Sequence, residues 1–281
     1  MARIVLGNRE GLLAIRQGRG VLEHLAEEWP DLHLTLRTIP KTAGQESGPL
    51  LAALEANDIG IAVAQLDALP PALPEGVRLA AVLKRGEPRS AFAAKGRAQL
   101  DALPEGARLL VSTERDASFL AATQAAMEVE IDRSAPEALL ARLGVGADAV
   151  ILPAATLVTL GLRSAIDTLI DETVFTPAPG QGAIGLLVRE DDDLAYETAY
   201  SLQHRPSFDR VRAELAFASE LPGRNVGASA TVNDEFELTL LGAVAEGSTI
   251  LQATVSGEAR EAEDLARELA KDVVEQLAAL G

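Results

Sequence analysis

Few residues of this chain have side chains that could act on a substrate, and their spacing narrows the choice further. The histidines are His24, His33 and His204, and no two stand four apart as a helical metal-binding pair would. Each is read as a structural or surface residue, and no metal site is expected. There is no cysteine, which removes thiolate nucleophiles, thiolate metal ligands, disulfides and any cofactor attached through sulfur. No Walker loop or G-x-S-x-G elbow occurs, and no strand, Gly-rich turn and helix in the order of a Rossmann fingerprint is read in the sequence. The one local oddity is Ala178-Pro-Gly-Gln-Gly-Ala-Ile-Gly185. Its glycines allow tight turns and close backbone approach, as at a hinge or a ligand-contacting crossover between domains. The basic residues are nearly all arginine, with lysine only at positions 41, 84, 95 and 271.

Composition bounds the class of protein. The 281 residues suffice for two or three domains, and 48% of them are apolar, as in an ordinary globular chain. A formal charge of -17 argues against a nucleic-acid partner. No apolar run approaches the ~18 residues of a membrane span. The opening MARIVLGNRE has no apolar signal core, so a cytoplasmic location is expected.

The elements that must position any site follow from periodicity. Arg3 to Leu6 reads as a strand, and the stretch carrying Leu12, Leu13, Val21, Leu22 and Leu25 as a helix stopped by Pro30. Leu32, Leu34 and Leu36 alternate with polar residues as a half-buried strand. After a Gly-rich loop over Thr42 to Gly48 come a helix over Leu50 to Ala56 and a buried parallel strand over Ile59 to Val63. This is a βαβαβ order, followed by a strand from Val77 to Leu83. A second unit of similar order has strands at 109–111, 129–131 and 149–152 and helices at 117–126 and 136–143. Past Arg205-Pro206 the pattern changes to a helix over 208–220, a hairpin across Glu246-Gly247 and a long amphipathic helix over 259–280. That is a small α+β domain.

Taken in order along the chain, several segments resemble the hydroxymethylbilane synthase (porphobilinogen deaminase) family. They are Lys84-Arg-Gly-Glu-Pro-Arg-Ser-Ala-Phe92, Asp148-Ala-Val-Ile-Leu-Pro-Ala-Ala-Thr-Leu-Val-Thr-Leu-Gly161, Ala178 to Arg189 and Glu214-Leu-Ala-Phe-Ala-Ser-Glu-Leu-Pro-Gly223. The resemblance implies a fold of the α/β class in three domains. Two are α/β domains like those of periplasmic binding proteins, flanking a cleft (1–88 with 178–200, and 89–177). The third is a small α+β domain (205–281). The implied reaction joins four porphobilinogen molecules on a dipyrromethane cofactor held by a cysteine. An aspartate handles the protons, and arginines pair with the carboxylates.

Carried over residue by residue, the resemblance puts Asn225 at the cofactor cysteine and Ala68 at the catalytic aspartate, with Asp67 in place of a lysine. Arg9, Gln17, Ser112, Thr113, Arg115, Arg133 and Gln181 match binding positions, while a second arginine beside Arg115 is replaced by Asp116. The reading is therefore a family member that has lost deaminase activity, a pseudoenzyme with no catalytic residue. Covalent dipyrromethane is expected to be absent. The cleft is expected to hold one small anionic or carboxylate ligand, because unpaired buried carboxylates cost several kcal/mol. Two alternatives are an active porphobilinogen-polymerising transferase with a noncovalent primer, and a non-catalytic scaffold or regulatory partner of tetrapyrrole enzymes.

Overall fold

A computed structural model describes residues 2–42, 47–70, 72–96, 99–124 and 126–280. Most of the expected Gly-rich loop, residues 43–46, lies outside the described residues. Within them the chain divides into two compact units, one of residues 1–86 with 182–211 and the other of residues 87–181 with 212–281.

The first unit holds β1 (Arg3–Arg9), α1 (Leu12–Glu28), β2 (His33–Ile39), α2 (Gly48–Glu55), β3 (Ile61–Gln65) and β4 (Val77–Val82). In the second unit, the first sheet and its helices comprise β5 (Ser90–Ala94), β6 (Arg108–Val111), α3 (Glu114–Thr123), β7 (Glu128–Ile131), α4 (Pro136–Ala141), β8 (Ala149–Pro153), α5 (Ala154–Thr159) and β9 (Thr168–Leu169). The chain then returns to the first unit with β10 (Ile184–Arg189) and α6 (Asp193–Tyr200), and leaves it again along α7 (Arg205–Ser219). It ends with β11 (Asn225–Val232), β12 (Glu237–Glu246), β13 (Thr249–Glu258) and α8 (Ala262–Leu280).

The sheet of the first unit runs β2-β1-β3-β10-β4, with β1 parallel to β2 and β3, and β10 antiparallel to both of its neighbours. Side-chain alternation splits it into two apolar layers. Ile4, Leu6, Ile61, Val63, Leu186 and Val188 pack under α1 and α6, while Ala62, Ala64 and Leu187 meet Leu50, Leu51 and Leu54 of α2. Gly7 is required on the α2 side, since a Cβ there would stand 2.3 Å from the Ile59 side chain.

The second unit contains a like sheet, β7-β6-β8-β5-β9, and a three-stranded antiparallel sheet, β11-β12-β13. Phe92, Leu109, Val111, Phe119 and Phe175 share one apolar cluster with Ala243 and Ala245 of β12. The opposite face of the five-stranded sheet is covered by Leu139 of α4 and Leu157 of α5. On the three-stranded sheet, Leu238, Leu240 and Val244 pack with Phe217 of α7 and with Ala266, Leu269 and Val273 of α8.

The α/β class holds, and β1, α1, β2, α2, β3, β4, the 237–258 hairpin and the terminal helix follow the expected order. Strands β5, β9, β10 and β11 were not expected. Helix α3 begins at Glu114, ahead of the expected 117, because Thr113 caps it: its Oγ1 accepts the Asp116 N–H at 3.1 Å. Among the described residues no helix is long and apolar enough to cross a membrane, and no group of three His, Cys, Asp or Glu side chains could hold a metal ion.

Candidate functional site

In the first unit, Arg9 closes β1 and Ala68 closes the single 3-10 turn that follows β3. One Arg9 guanidinium N–H donates to Gln65 Oε1 at 3.3 Å. Beneath it Asn8 is fully buried and donates from Nδ2 to the Arg9 carbonyl at 2.8 Å. Gly18 lets α1 approach here, because a Cβ would meet Asn8 at 3.1 Å. Gln17 lies half-buried on α1, and Asp67 and Ala68 are half-buried on the turn. Ala68 offers a methyl group, and the neighbouring Asp67 interacts with another group of the protein.

In the second unit, Ser112 and Thr113 follow the end of β6 and lead into α3, while Arg133 follows β7. Arg133 donates to Glu114 at 3.0 Å, and both side chains are more than half exposed. The first turn of α3 carries Glu114 and Asp116. These carboxylates already complement the helix dipole, so an anion held there has to be small and of low charge.

Arg115 is differently placed. Its guanidinium lies 4.0 Å from the Phe119 ring centroid, donates from Nε to the Val226 carbonyl at 3.1 Å and from Nη2 to the Thr176 carbonyl, and pairs through Nη1 with Asp116 at 2.8 Å. All three nitrogens point at protein acceptors. Burial pulls its pKa below the ordinary arginine value, and the Asp116 charge opposes that shift. Gly227 on β11 makes the room, since a Cβ there would stand 2.7 Å from Arg115 Nη2. One residue before Val226, Asn225 donates from its amide to Ser118 Oγ at 2.9 Å. Asn225, where the resemblance puts the cofactor cysteine, thus sits against α3 within the same unit.

Gln181 is buried at the crossover and donates from Nε2 to the Pro88 carbonyl at 2.6 Å and to Ser90 Oγ at 3.2 Å. Glu214, wholly buried on α7, accepts from the Gly180 N–H and the Ala230 N–H, each at 2.8 Å. The sequence reading missed Glu214 as a clamp; the signal was an acid set among the apolar positions Val211, Ala213, Leu215 and Phe217 of a helix. It also missed Thr176 and Val226, whose contributions are backbone carbonyls and leave no mark in side-chain identity.

Beside Arg133, Asp132 accepts from the Ser134 N–H at 2.9 Å and from Arg142 at 2.8 Å, and Arg142 also binds Glu130 at 2.7 Å. The Ser134 hydrogen bonds, and after them Arg142, depress the Asp132 carboxyl to about 2. A depressed acid stabilises the fold above its unfolded pKa, and that contribution disappears as pH falls through the folded value. The stability difference between the native chain and Asp132→Asn should therefore be full above about pH 4 and vanish toward about pH 2. Melting curves across that range test this; a difference independent of pH would refute it.

Residues 4–197 match the family model described as "Porphobilinogen deaminase, dipyromethane cofactor binding domain". The chain is 39% identical to the porphobilinogen deaminase of Thermus thermophilus, over 98% of this chain and 97% of that protein. It is 37% identical to the porphobilinogen deaminase of Deinococcus radiodurans, over 99% and 97%. A solved structure of the methionine-binding protein MetQ is similar at a TM-score of 0.49 and 13% identity, covering 78% of this chain and 94% of that one.

The chain belongs to the porphobilinogen deaminase family, whose work is tetrapyrrole biosynthesis. This corrects the expectation of a chain without the cofactor, because the model it matches is that of the domain that binds dipyrromethane. At position 225 the chain presents an amide bonded to Ser118, and no cysteine occurs in the sequence. A thioether cannot be made there. The residues present do not fit that mode of attachment.

Proposed function

We propose that this chain is a family member that has lost deaminase turnover and binds a small carboxylate-bearing anion. The observation that carries the reading is Ala68, a methyl group at the position where the family resemblance puts the catalytic carboxylate. A positioned acid or base commonly supplies ~10²–10⁴-fold, and Asp67 stands one place out of register with that position. The anion-binding part rests on Arg9 with Gln17 in the first unit, and on Ser112, Thr113 and Arg133 in the second. Arg115 and Gln181 are assigned to holding the fold of the second unit, since their donors are directed at protein acceptors. The division into three domains, with 205–281 as the third, belongs to the same proposal. It is supported by the separate apolar cluster of α7, α8 and the three-stranded sheet.

The test is incubation of the purified chain with porphobilinogen. No consumption above a blank is expected, and sustained turnover by a clean preparation would overturn the reading. Titration with mono- and dicarboxylates should give binding that weakens with salt and is reduced by Arg9→Ala or Arg133→Ala. If neither substitution changes the response, the anion-binding part fails.

The cofactor-domain match favours a second reading, an active transferase in which dipyrromethane is held without a covalent bond. Its mark would be a pyrrole mass seen on the native protein and lost on denaturation, together with turnover of porphobilinogen.

A further inference from the structure

We propose a second ligand site, at the starts of the parallel strands of the second unit, for a small zwitterion bearing one carboxylate and one ammonium group. A cavity of about 290 Å³ opens there, lined by the charged side chains of Lys95, Arg108, Glu128 and Asp148. Topology brings them together from four strands. Lys95 follows β5, Arg108 and Glu128 open β6 and β7 as a cross-strand pair, and Asp148 precedes β8, whose first residue pairs with the last of β5. Ser112 and Arg133 follow the opposite ends of β6 and β7, so the cavity is separate from the start of α3.

The charges are incompletely used. Asp148 is fixed by accepting the Arg108 backbone N–H at 2.9 Å. The Arg108 guanidinium reaches the Gly146 carbonyl at 3.4 Å and Glu128 only at 3.9 Å, beyond hydrogen-bond range, so both groups keep bonding capacity. Lys95 has no hydrogen bond or ion pair through its amine among the described residues. Its stem crosses Gly144, where an added Cβ would stand 3.1 Å from Lys95 Cδ and where φ is +76°. The glycine leaves the lysine lying over the cavity wall.

Two cations with spare donors and a carboxylate with spare acceptors select a molecule carrying both signs. An anion alone meets Glu128 and Asp148, and a cation alone meets Lys95 and Arg108. A short amino acid satisfies both sets. The site is open to water, so affinity on the order of millimolar is expected, weakening as salt is raised.

The experiment is calorimetric titration of the full chain at low ionic strength with glycine, β-alanine and γ-aminobutyrate, against butyrate and butylamine. At least one zwitterion should bind about tenfold or more tightly than either single-charge analogue. Lys95→Gln and Glu128→Gln should each weaken it about tenfold, and Arg260→Ala, at an exposed residue outside the cavity lining, should leave it unchanged. The absence of saturable heat with all three zwitterions overturns the proposal. So does butyrate binding as tight as the zwitterions' and equally weakened by Lys95→Gln, or zwitterion binding indifferent to both cavity substitutions.

Discussion

Replacing Arg115 by alanine is expected to destabilise the second unit by about 3–5 kcal/mol, the range for breaking a buried ion pair by removing one partner. Three effects add. Asp116, mostly buried, is left without its countercharge. The carbonyls of Val226 and Thr176 lose their donors. The faces of Phe119 and Phe175 lose a cation at 4.0 and 5.2 Å from their centroids. Lysine should not rescue the loss, because a single ammonium cannot reproduce a planar fork aimed at separate acceptors. Urea unfolding followed through the second unit's transition measures the change. In the Arg115→Ala, Asp116→Ala pair, the double substitution should cost less than the two singles added, since no charge is then stranded. A loss below about 1 kcal/mol for Arg115→Ala would show the guanidinium to be a spectator.

Glu214→Ala is the second large loss. The carboxylate accepts from Gly180 on the crossover and from Ala230 on β11, and it is wholly buried. Each buried N–H left without an acceptor costs about 1–3 kcal/mol, so about 2–6 kcal/mol is expected. Glu214→Gln retains one acceptor oxygen and should lose roughly half as much. Hydrogen exchange at the Gly180 and Ala230 amides gives a local readout: protection should fall at both in the alanine variant. Unchanged protection at either would refute the bridging role.

Much of the fold was legible because the apolar signal was strong. Ile61-Ala-Val-Ala64 is buried on both faces, and its residues read as a parallel strand from their identity alone. The hairpin of β12 and β13 announced itself by alternation around Gly247, which turns at φ +59°. The missed strands lacked that signal. In β11 the inward residues are Val226, Ala228 and Ala230, and Gly227 is there to admit a guanidinium from another element. Small residues chosen for close approach look like loop when read locally. In β10, Gly185 has the same cause, a Cβ being excluded by Leu66 at 2.4 Å.

The site was legible in residue identity and not in partnership. Arg9, Ser112 and Arg133 stand near strand ends, where motif matching put them. That Arg115 spends its donors on Val226, Thr176 and Asp116 depends on contacts 111 and 61 residues away in sequence. No local pattern encodes such a partnership.

The antiparallel insertion of β10 between β3 and β4 also bears on how the chain is made. Among the described residues, strand β4 has no hydrogen-bonded neighbour other than β10, and β3 offers β10 its outer edge. Ribosomal synthesis delivers β3 and β4 about a hundred residues before β10 is available. Throughout that interval the nascent chain carries an open slot, flanked by Val63 on one strand and Ala81 on the other. Unpaired strand edges of this kind template association with other chains. Translation up to Arg189 is therefore the window in which a chaperone has most to protect, and a pause before β10 emerges would lengthen it.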